Sequence, residues 1–483
     1  MALERVIPTP KEAEYSHEVV VVDSTWGIVD QSRIQAMAET YADTFGVARR
    51  QGQRNFTLSA DAGLAEEEYR LEVSGEGVTV SASSRRGFLH AISTLNQLRN
   101  GPMLQIAKVH DYPRLPIRGV QLMFESFLQM GLQEALDLVW SAAKFKLNTL
   151  LLEFGDRFPF GRHSTISSPS ALSHRDVQQI VETAHSLGMQ TIPLLQSLGH
   201  LRYMLKHDRY ADIREERDEP DQMCPTNEKS FRVWTELAEE VLAQFHGTKL
   251  MHIGADETRQ LGACPRCQQE ATEGGKGALY LHHINKVCAW LADRGVTPII
   301  WDDILCAHPA TMVGLHESAW VMYWDYWTTS SPSPLVVARY ASDHALIYDK
   351  RWDGEWKHEL SEATRSTLDF FGHAVSMEGD LSAEFRRVYG KYLGDQLPKF
   401  VRAFPYLEYY QDHGRTVIGG PTCSGNTSEW LSLPDFPRYG ANISAFADRC
   451  AEAKAQGVVT TSWYNRPHEV VYFGLLATGQ ATW

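Results

Sequence analysis

From residue 117 onward the chain alternates short, continuous apolar runs with longer segments whose apolar residues recur every three to four positions. The runs are "IRGVQLMF" (117–124), "LNTLLLEF" (147–154), "MQTIPLLQ" (189–196) and "KLMHIGAD" (249–256), then "VTPIIWDD" (296–303), "AWVMYWDY" (319–326), "TVIGG" (416–420) and "VVTTSW" (458–463). Short apolar runs without regular polar alternation predict strands buried on both faces. Between them, "SHRDVQQIVETAHSLG" starts at Ser173 as N-cap, with Asp176 three residues on. It sets Val177, Ile180, Val181 and Ala184 on one face and stops at Gly188. "NEKSFRVWTELAEEVLAQF" and "GALYLHHINKVCAWLADRG" follow the same helical period. Eight such strands alternating with helices predict an α/β fold, a parallel (β/α)8 TIM barrel. A doubly wound open sheet would want a Gly-rich phosphate turn after its first strand, and "MFESFLQMG" is not one.

The pattern changes in two places. In the first hundred residues "HEVVVVDS" and "YRLEVSGEGVTVSAS" predict strands, the second a hairpin turning at Gly75 to Gly77. "SRRGFLHAISTLNQLRN" places Phe88, Ile92, Leu95 and Leu98 at helical spacing. These elements predict a small α/β domain over residues 1–110, closed by the proline pair of "HDYPRLP" (110–116), with the barrel over 111–483. Residues 328–414 are too long for one crossover. Their charged, helical text, as in "SAEFRRVYGKYLGDQLPKFVRAF", predicts a helical excursion between strands six and seven.

Composition narrows the function. The 483 residues are 43% hydrophobic and include 13 Trp, which supports a large core and argues against disorder. A formal charge of −14 disfavours nucleic acid and anionic membranes as partners. The opening "MALERVIPTPKEAEYSHE" has no apolar h-region and no run of 18 apolar residues occurs, so a cytoplasmic protein with no membrane partner is expected. Seven scattered cysteines fit reduced thiols. Cys264 and Cys267 form one Cys-x-x-Cys. As a zinc site they would have to borrow a distant ligand such as Cys224, and two free thiols in a loop is the competing reading.

Barrel active sites lie at the C-terminal ends of the strands. Polar and aromatic residues collect there: Glu153 and Asp156, His200, Asp256 and Glu257, Trp301 with Asp302 and Asp303, Tyr323, Trp324 and Asp325, and Trp463 with Glu469 beyond it. Arg118 stands early in the first strand. Acids, indoles and a guanidinium in one place suit a sugar, although any single acid could instead cap a helix. No second His stands at ligand spacing beside His200, and no Gly-x-Ser-x-Gly elbow occurs. With 60 acidic residues, about seven adjacent acid pairs arise by chance, so context must decide what Asp256–Glu257 means. Neighbours on a strand face opposite ways. Both can serve one pocket only if the strand ends and the backbone turns; they would then lie on one side of a substrate, with one protonated and the other ionised.

"HIGADE" resembles the His-x-Gly-x-Asp-Glu motif of the family-20 glycoside hydrolases, the β-N-acetylhexosaminidases. "LLLEFGDRFPF", "IPLLQSLGHLRYMLKHDRYADIREE", "MCPTNE" and "IIWDDIL" are similar to the hexosaminidase D-like branch in order and spacing. The resemblance implies an exo-acting, retaining enzyme that removes terminal GlcNAc or GalNAc, or both. The substrate's own 2-acetamido oxygen would attack the anomeric carbon and form an oxazolinium intermediate, a known exception to the two-carboxylate scheme. By position, Glu257 would be the general acid and base, Asp256 would hold the acetamido N–H, and Tyr323 would donate to the acetamido oxygen. Asp325, Arg118, Glu469 and either Glu153 or Asp156 would bind hydroxyls. Trp301, Trp324 and Trp463 would wall the pocket, and His200 would support the acid pair. No cofactor is implied, the partner is a terminal N-acetylhexosaminide, and a homodimer is compatible with this reading. The alternatives are a conventional retaining glycosidase with a protein nucleophile and a non-catalytic sugar-binding barrel.

Overall fold

The computed structural model describes residues 6–125, 129–340, 343–371, 375–376, 382–396, 399–424, 435–463 and 468–483. Its largest sheet holds the eight strands expected from the apolar runs, numbered here β1 (Ile117–Met123), β2 (Thr149–Glu153), β3 (Gln190–Leu194), β4 (Leu250–His252), β5 (Thr297–Trp301), β6 (Trp320–Trp324), β7 (Val417–Gly420) and β8 (Gly457–Ser462). Each pairs in parallel with the next, and β8 pairs with both β7 and β1, so the sheet closes on itself. Closure leaves no free edge and sends alternate side chains inward. Ile117, Leu151, Ile192, Leu194, Ile299, Met322, Ile418 and Val459 fill the interior, with Trp301 and Trp324 in the same cluster. The residues of opposite parity, such as Val120, Leu150, Leu152, Ile300 and Val321, pack beneath the surrounding helices.

The stretch after β6 is mixed rather than helical. It contains helices Glu362–Phe371, Ala383–Tyr389 and Tyr406–Asp412, but also a small sheet of Leu335–Tyr340, Asp343–Tyr348 and Val375–Ser376. "LVVARY" and "DHALIY" are short runs holding Val, Ile and Tyr, a strand signal that the charged helical text around them obscured.

Residues 12–111 form a separate sheet with its own apolar core, in which Phe56, Leu58, Tyr69, Val80, Phe88 and Leu95 are buried. Helix Arg85–Leu98 is capped by Ser84, which accepts the Arg86 and Gly87 N–H groups, and it lies against this sheet. A buried polar network joins the sheet to the bottom of the barrel. The Arg118 guanidinium grips both oxygens of Glu67 (2.7 and 3.1 Å), donates to the carbonyls of Lys146 and Leu115, and lies 5.0 Å from the Trp483 ring. Beside it, Lys146 Nζ donates to Asp111 Oδ2 (2.6 Å) and Tyr69 Oη (2.9 Å). Burial works against an ionised Glu67, but His90 and Arg118 outweigh it and hold its carboxyl well below the usual range.

Candidate active site

The site is built around a turn. β4 ends at His252, after which Gly254 (φ 64°), Ala255 (φ 74°) and Glu257 (φ 47°) adopt left-handed backbone conformations. Side-chain-bearing residues pay for that geometry with about 1 kcal/mol or more each. The surroundings impose it. A Cβ on Gly254 would lie 1.7 Å from Gln196 Oε1, so any side chain there would displace the Gln196 amide, and the Glu257 N–H donates to Asp303 Oδ2 (2.8 Å) just past β5. The turn breaks the strand's alternation and brings both carboxylates to one histidine: His200 Nε2 lies 3.4 Å from Asp256 Oδ2 and 3.6 Å from Glu257 Oε2. His200 follows β3 and is itself left-handed (φ 55°), and a Cβ on Gly199 would press on the Asp256 carbonyl at 2.8 Å.

Burial opposes a charge on His200, but Asp256 and then Glu257 prevail, and its pKa is raised to about 10. An imidazolium therefore holds the pair together at neutral pH. Asp256 is buried. Its Oδ1 has no hydrogen-bond partner among the described residues, which leaves an acceptor for a donor from outside the chain. Glu257 is more open, and its Oε1 meets the exposed Arg259 at 2.8 Å.

Further carboxyls adjoin this pair. Glu153, ending β2, accepts from Gln121 Nε2 (2.7 Å) and Gln196 Nε2 (3.1 Å); burial, with Glu125 and Asp256 nearby, pushes its pKa to about 8. Glu125, just beyond β1, is pushed to about 7 by burial and by Asp156. Glu125 was not among the sequence candidates, although an acid one residue past an apolar strand in "LMFES" is the signal that finds it. Aromatic rings gather at the ends of β5, β6 and β8. Trp301 lies 4.3 Å from the His252 ring and 5.8 Å from Trp463, whose Nε1 donates to Tyr326 Oη (2.9 Å). Tyr326 in turn packs against Trp324 (5.0 Å) and Trp327 (5.6 Å). His252 is kept neutral: burial lowers its pKa to about 3, and its Nδ1 accepts the Gly254 N–H.

The structure thus brings together Asp256, Glu257 and His200, with Glu153 and Asp156 beside them, and gathers Trp301, Trp324 and Trp463. Three expectations need correction. Tyr323 has the wrong parity: it points out of the barrel into Phe404, Tyr406, Tyr410 and Phe446, while its neighbours Met322 and Trp324 point in. The tyrosine among the indoles is Tyr326, two residues beyond Trp324. Asp325 does not face the indoles with a free carboxylate. It accepts from the Trp327 and Thr328 N–H groups and the Thr328 hydroxyl, and so folds the loop that carries Tyr326. Arg118 lies at the opposite end of the barrel in the network with Glu67, because it begins its strand rather than ending it. Glu469 is exposed in the first turn of helix His468–Thr482, which follows β8. Of the acids after β5, Asp302 holds β6 and Tyr410 in place, and Asp303 holds Glu257.

Comparison with known proteins gives this geometry a family. Residues 143–348 match the glycosyl hydrolase family 20 catalytic domain, and residues 4–112 match domain 2 of the same family, together more than half of the chain. Human hexosaminidase D is 32% identical over 189 residues, 37% of this chain and 38% of that protein. Bos taurus hexosaminidase D is 28% identical over 187 residues, 37% of this chain and 54% of that one. The matched part thus spans about half or less of these relatives' length. The fold extends further. A β-N-acetylhexosaminidase from Bacteroides fragilis superposes with a TM-score of 0.69 over 100% of this chain and 91% of its own, at 14% identity. An exo β-N-acetylglucosaminidase from Vibrio harveyi, in complex with N-acetylglucosamine, gives 0.68 over 100% and 74% at 16% identity. The chain belongs to glycosyl hydrolase family 20.

Proposed function

We propose that the protein is an exo-acting, retaining β-N-acetylhexosaminidase that removes a terminal GlcNAc or GalNAc with the substrate's own acetamido group as nucleophile. The observation that carries this reading is the pair of adjacent carboxylates turned to one side and shared by His200. Two carboxylates so placed do not flank a bond, as a protein nucleophile and its acid would. They suit a division of labour. Glu257, the more open of the two, gives its proton to the leaving oxygen and later takes one from water. Asp256, with its unfilled Oδ1, accepts the acetamido N–H and offsets the positive charge of the oxazolinium. His200, as a cation 3.4 Å from Asp256 Oδ2, is the charge partner that orients this carboxylate. Tyr326 donates to the acetamido oxygen from the indole wall, and Trp301, Trp324 and Trp463 pack the acetyl group and ring. Glu153 and Glu125, at strand ends next to the pair, bind ring hydroxyls, and the choice between the two epimers rests on them. None of the seven cysteines is in a disulfide, which supports a reducing cytoplasmic setting.

Replacement of the acid tests the assignment. Glu257→Gln is expected to lower kcat for a substrate with a poor leaving group by roughly 10²–10⁴-fold, and much less for a dinitrophenyl glycoside that leaves without a proton. Equal losses on both substrates would remove Glu257 from the role of acid. Steady-state rates on the two nitrophenyl epimers, GlcNAc and GalNAc, read the preference directly.

A further inference from the structure

Far from the acid pair in function but close to it along the chain, three cysteines and a glutamate converge. We propose that Cys224, Cys264, Cys267 and Glu215 form a structural zinc site that clasps the loop after β3 to the start of the helix after β4. One sulfur from each cysteine and one carboxylate oxygen all lie within 4.8 Å of one another. Cys224 Sγ is 3.6 Å from Cys264 Sγ and 3.4 Å from Cys267 Sγ. Tetrahedral zinc with bonds of about 2.3 Å to sulfur sets its thiolates about 3.8 Å apart, so ligation needs only small movements.

The donor set comes from two preformed pieces. Glu215 and Cys224 sit on facing arms of one loop, tied by hydrogen bonds from Glu215 N to Gln222 O and from Cys224 N to Ile213 O. Cys264 caps helix Pro265–Ala292, where its sulfur accepts the Cys267 N–H (3.4 Å), a Cys-x-x-Cys turn that aims both sulfurs one way. Glu215 is 2% exposed. Its Oε1 accepts from the Gly262 and Cys264 N–H groups (3.0 and 3.2 Å), whereas the buried Oε2 makes no hydrogen bond of ordinary length and is faced by the Cys267 thiol. A buried carboxylate oxygen with only a weak thiol donor is poorly satisfied, and a cation at the sulfurs would satisfy it. The competing use of close thiols, a disulfide, would consume two of the three sulfurs and leave that oxygen as it is. Backbone N–H groups around Glu215 and Cys264, at a helix N-terminus, temper the negative charge of three thiolates and a carboxylate around a divalent ion. The clasp joins the loop that carries His200 to the segment that carries Glu257, so the ion would fix the register of the two without touching substrate.

The test is elemental analysis of the whole chain, produced in zinc-supplemented cells and gel-filtered with a phosphine reductant and no chelator. About one zinc per chain is expected, released by a mercurial and seen with a metallochromic dye. Glu215→Gln is expected to keep the fold by circular dichroism and to lose zinc to a competing chelator at least ~10-fold faster. Cys264→Ser/Cys267→Ser is expected to carry less than ~0.1 equivalent. Wild-type protein with less than ~0.1 zinc, another metal in its place, or a disulfide among the three cysteines in an unreduced peptide map would overturn the proposal.

Discussion

Whether an adjacent Asp-Glu pair can work as two instruments is decided by single residues. Gly254 is one: Gly254→Ala drives a Cβ into the Gln196 amide, and either that amide, with its bond to Glu153, or the turn must move. Activity is expected to fall by at least ~10²-fold with a native-like circular dichroism spectrum, because geometry rather than folding is lost. Tyrosines 323 and 326 provide a matched pair of variants. Tyr326→Phe should cost about 10-fold or more in kcat/KM on N-acetylated substrates through one lost hydrogen bond to the acetamido oxygen. Tyr323→Phe, in the outer aromatic core, should leave kcat/KM within about twofold. The reverse order would restore the first assignment. Parity was available in the sequence: in "WVMYWDYW", side chains alternate, and once Trp324 is placed inside, Tyr323 cannot be. What the text of the chain did not carry is the turn at Asp325, which keeps Tyr326 on the inner side.

At the scale of elements, the eight strands and their helices were legible because burial on both faces writes itself as unbroken apolar runs. Two features were not. The small sheet after β6 comes from "LVVARY" and "DHALIY", runs too short to outweigh the helical text around them. Arg118 was misplaced although its position pointed elsewhere: it is the second residue of β1, and barrel chemistry belongs at strand ends. Its buried pairing with Glu67 makes a prediction about stability instead. Removal of one partner from such a pair costs about 3–5 kcal/mol, so Arg118→Met should lower the denaturant midpoint sharply while kcat of the folded fraction is unchanged. A catalytic defect without a stability defect would return Arg118 to the substrate. The Glu67 carboxyl, held well below the usual range, adds stability that is present above the unfolded value near 4.5 and lost as pH falls below it.

For the whole molecule, the concentration of carboxyls at the top of the barrel sets a pH profile. Glu125 and Glu153, raised to about 7 and about 8 from 4.5, stay protonated in the fold while the unfolded chain has already lost those protons. Their burial therefore subtracts stability as pH rises from about 4.5 to 8. His200, raised from 6.5 to about 10, contributes stability that is full below 6.5 and lost as pH rises toward 10. All three act in one direction, so the melting temperature is expected to peak in mildly acidic solution and fall through neutral to alkaline pH. Glu153→Gln should flatten the fall between pH 5 and 8, and an unchanged slope would show that Glu153 is not held protonated. These carboxyls come from two neighbouring strand ends, those of β1 and β2, which is why sequence spacing could name Glu153 and Asp156 but not their coupling to Glu125.

The central claim, that the nucleophile belongs to the substrate, is tested most directly by fluorination of the N-acetyl group. Each fluorine draws electrons from the amide oxygen and weakens it as a nucleophile, while a protein carboxylate attacking the same anomeric carbon would be nearly indifferent. For nitrophenyl glycosides carrying acetyl, fluoroacetyl, difluoroacetyl and trifluoroacetyl groups, log kcat/KM is expected to fall steeply and in order. A flat series, with trifluoroacetyl hydrolysed as fast as acetyl, would contradict the account.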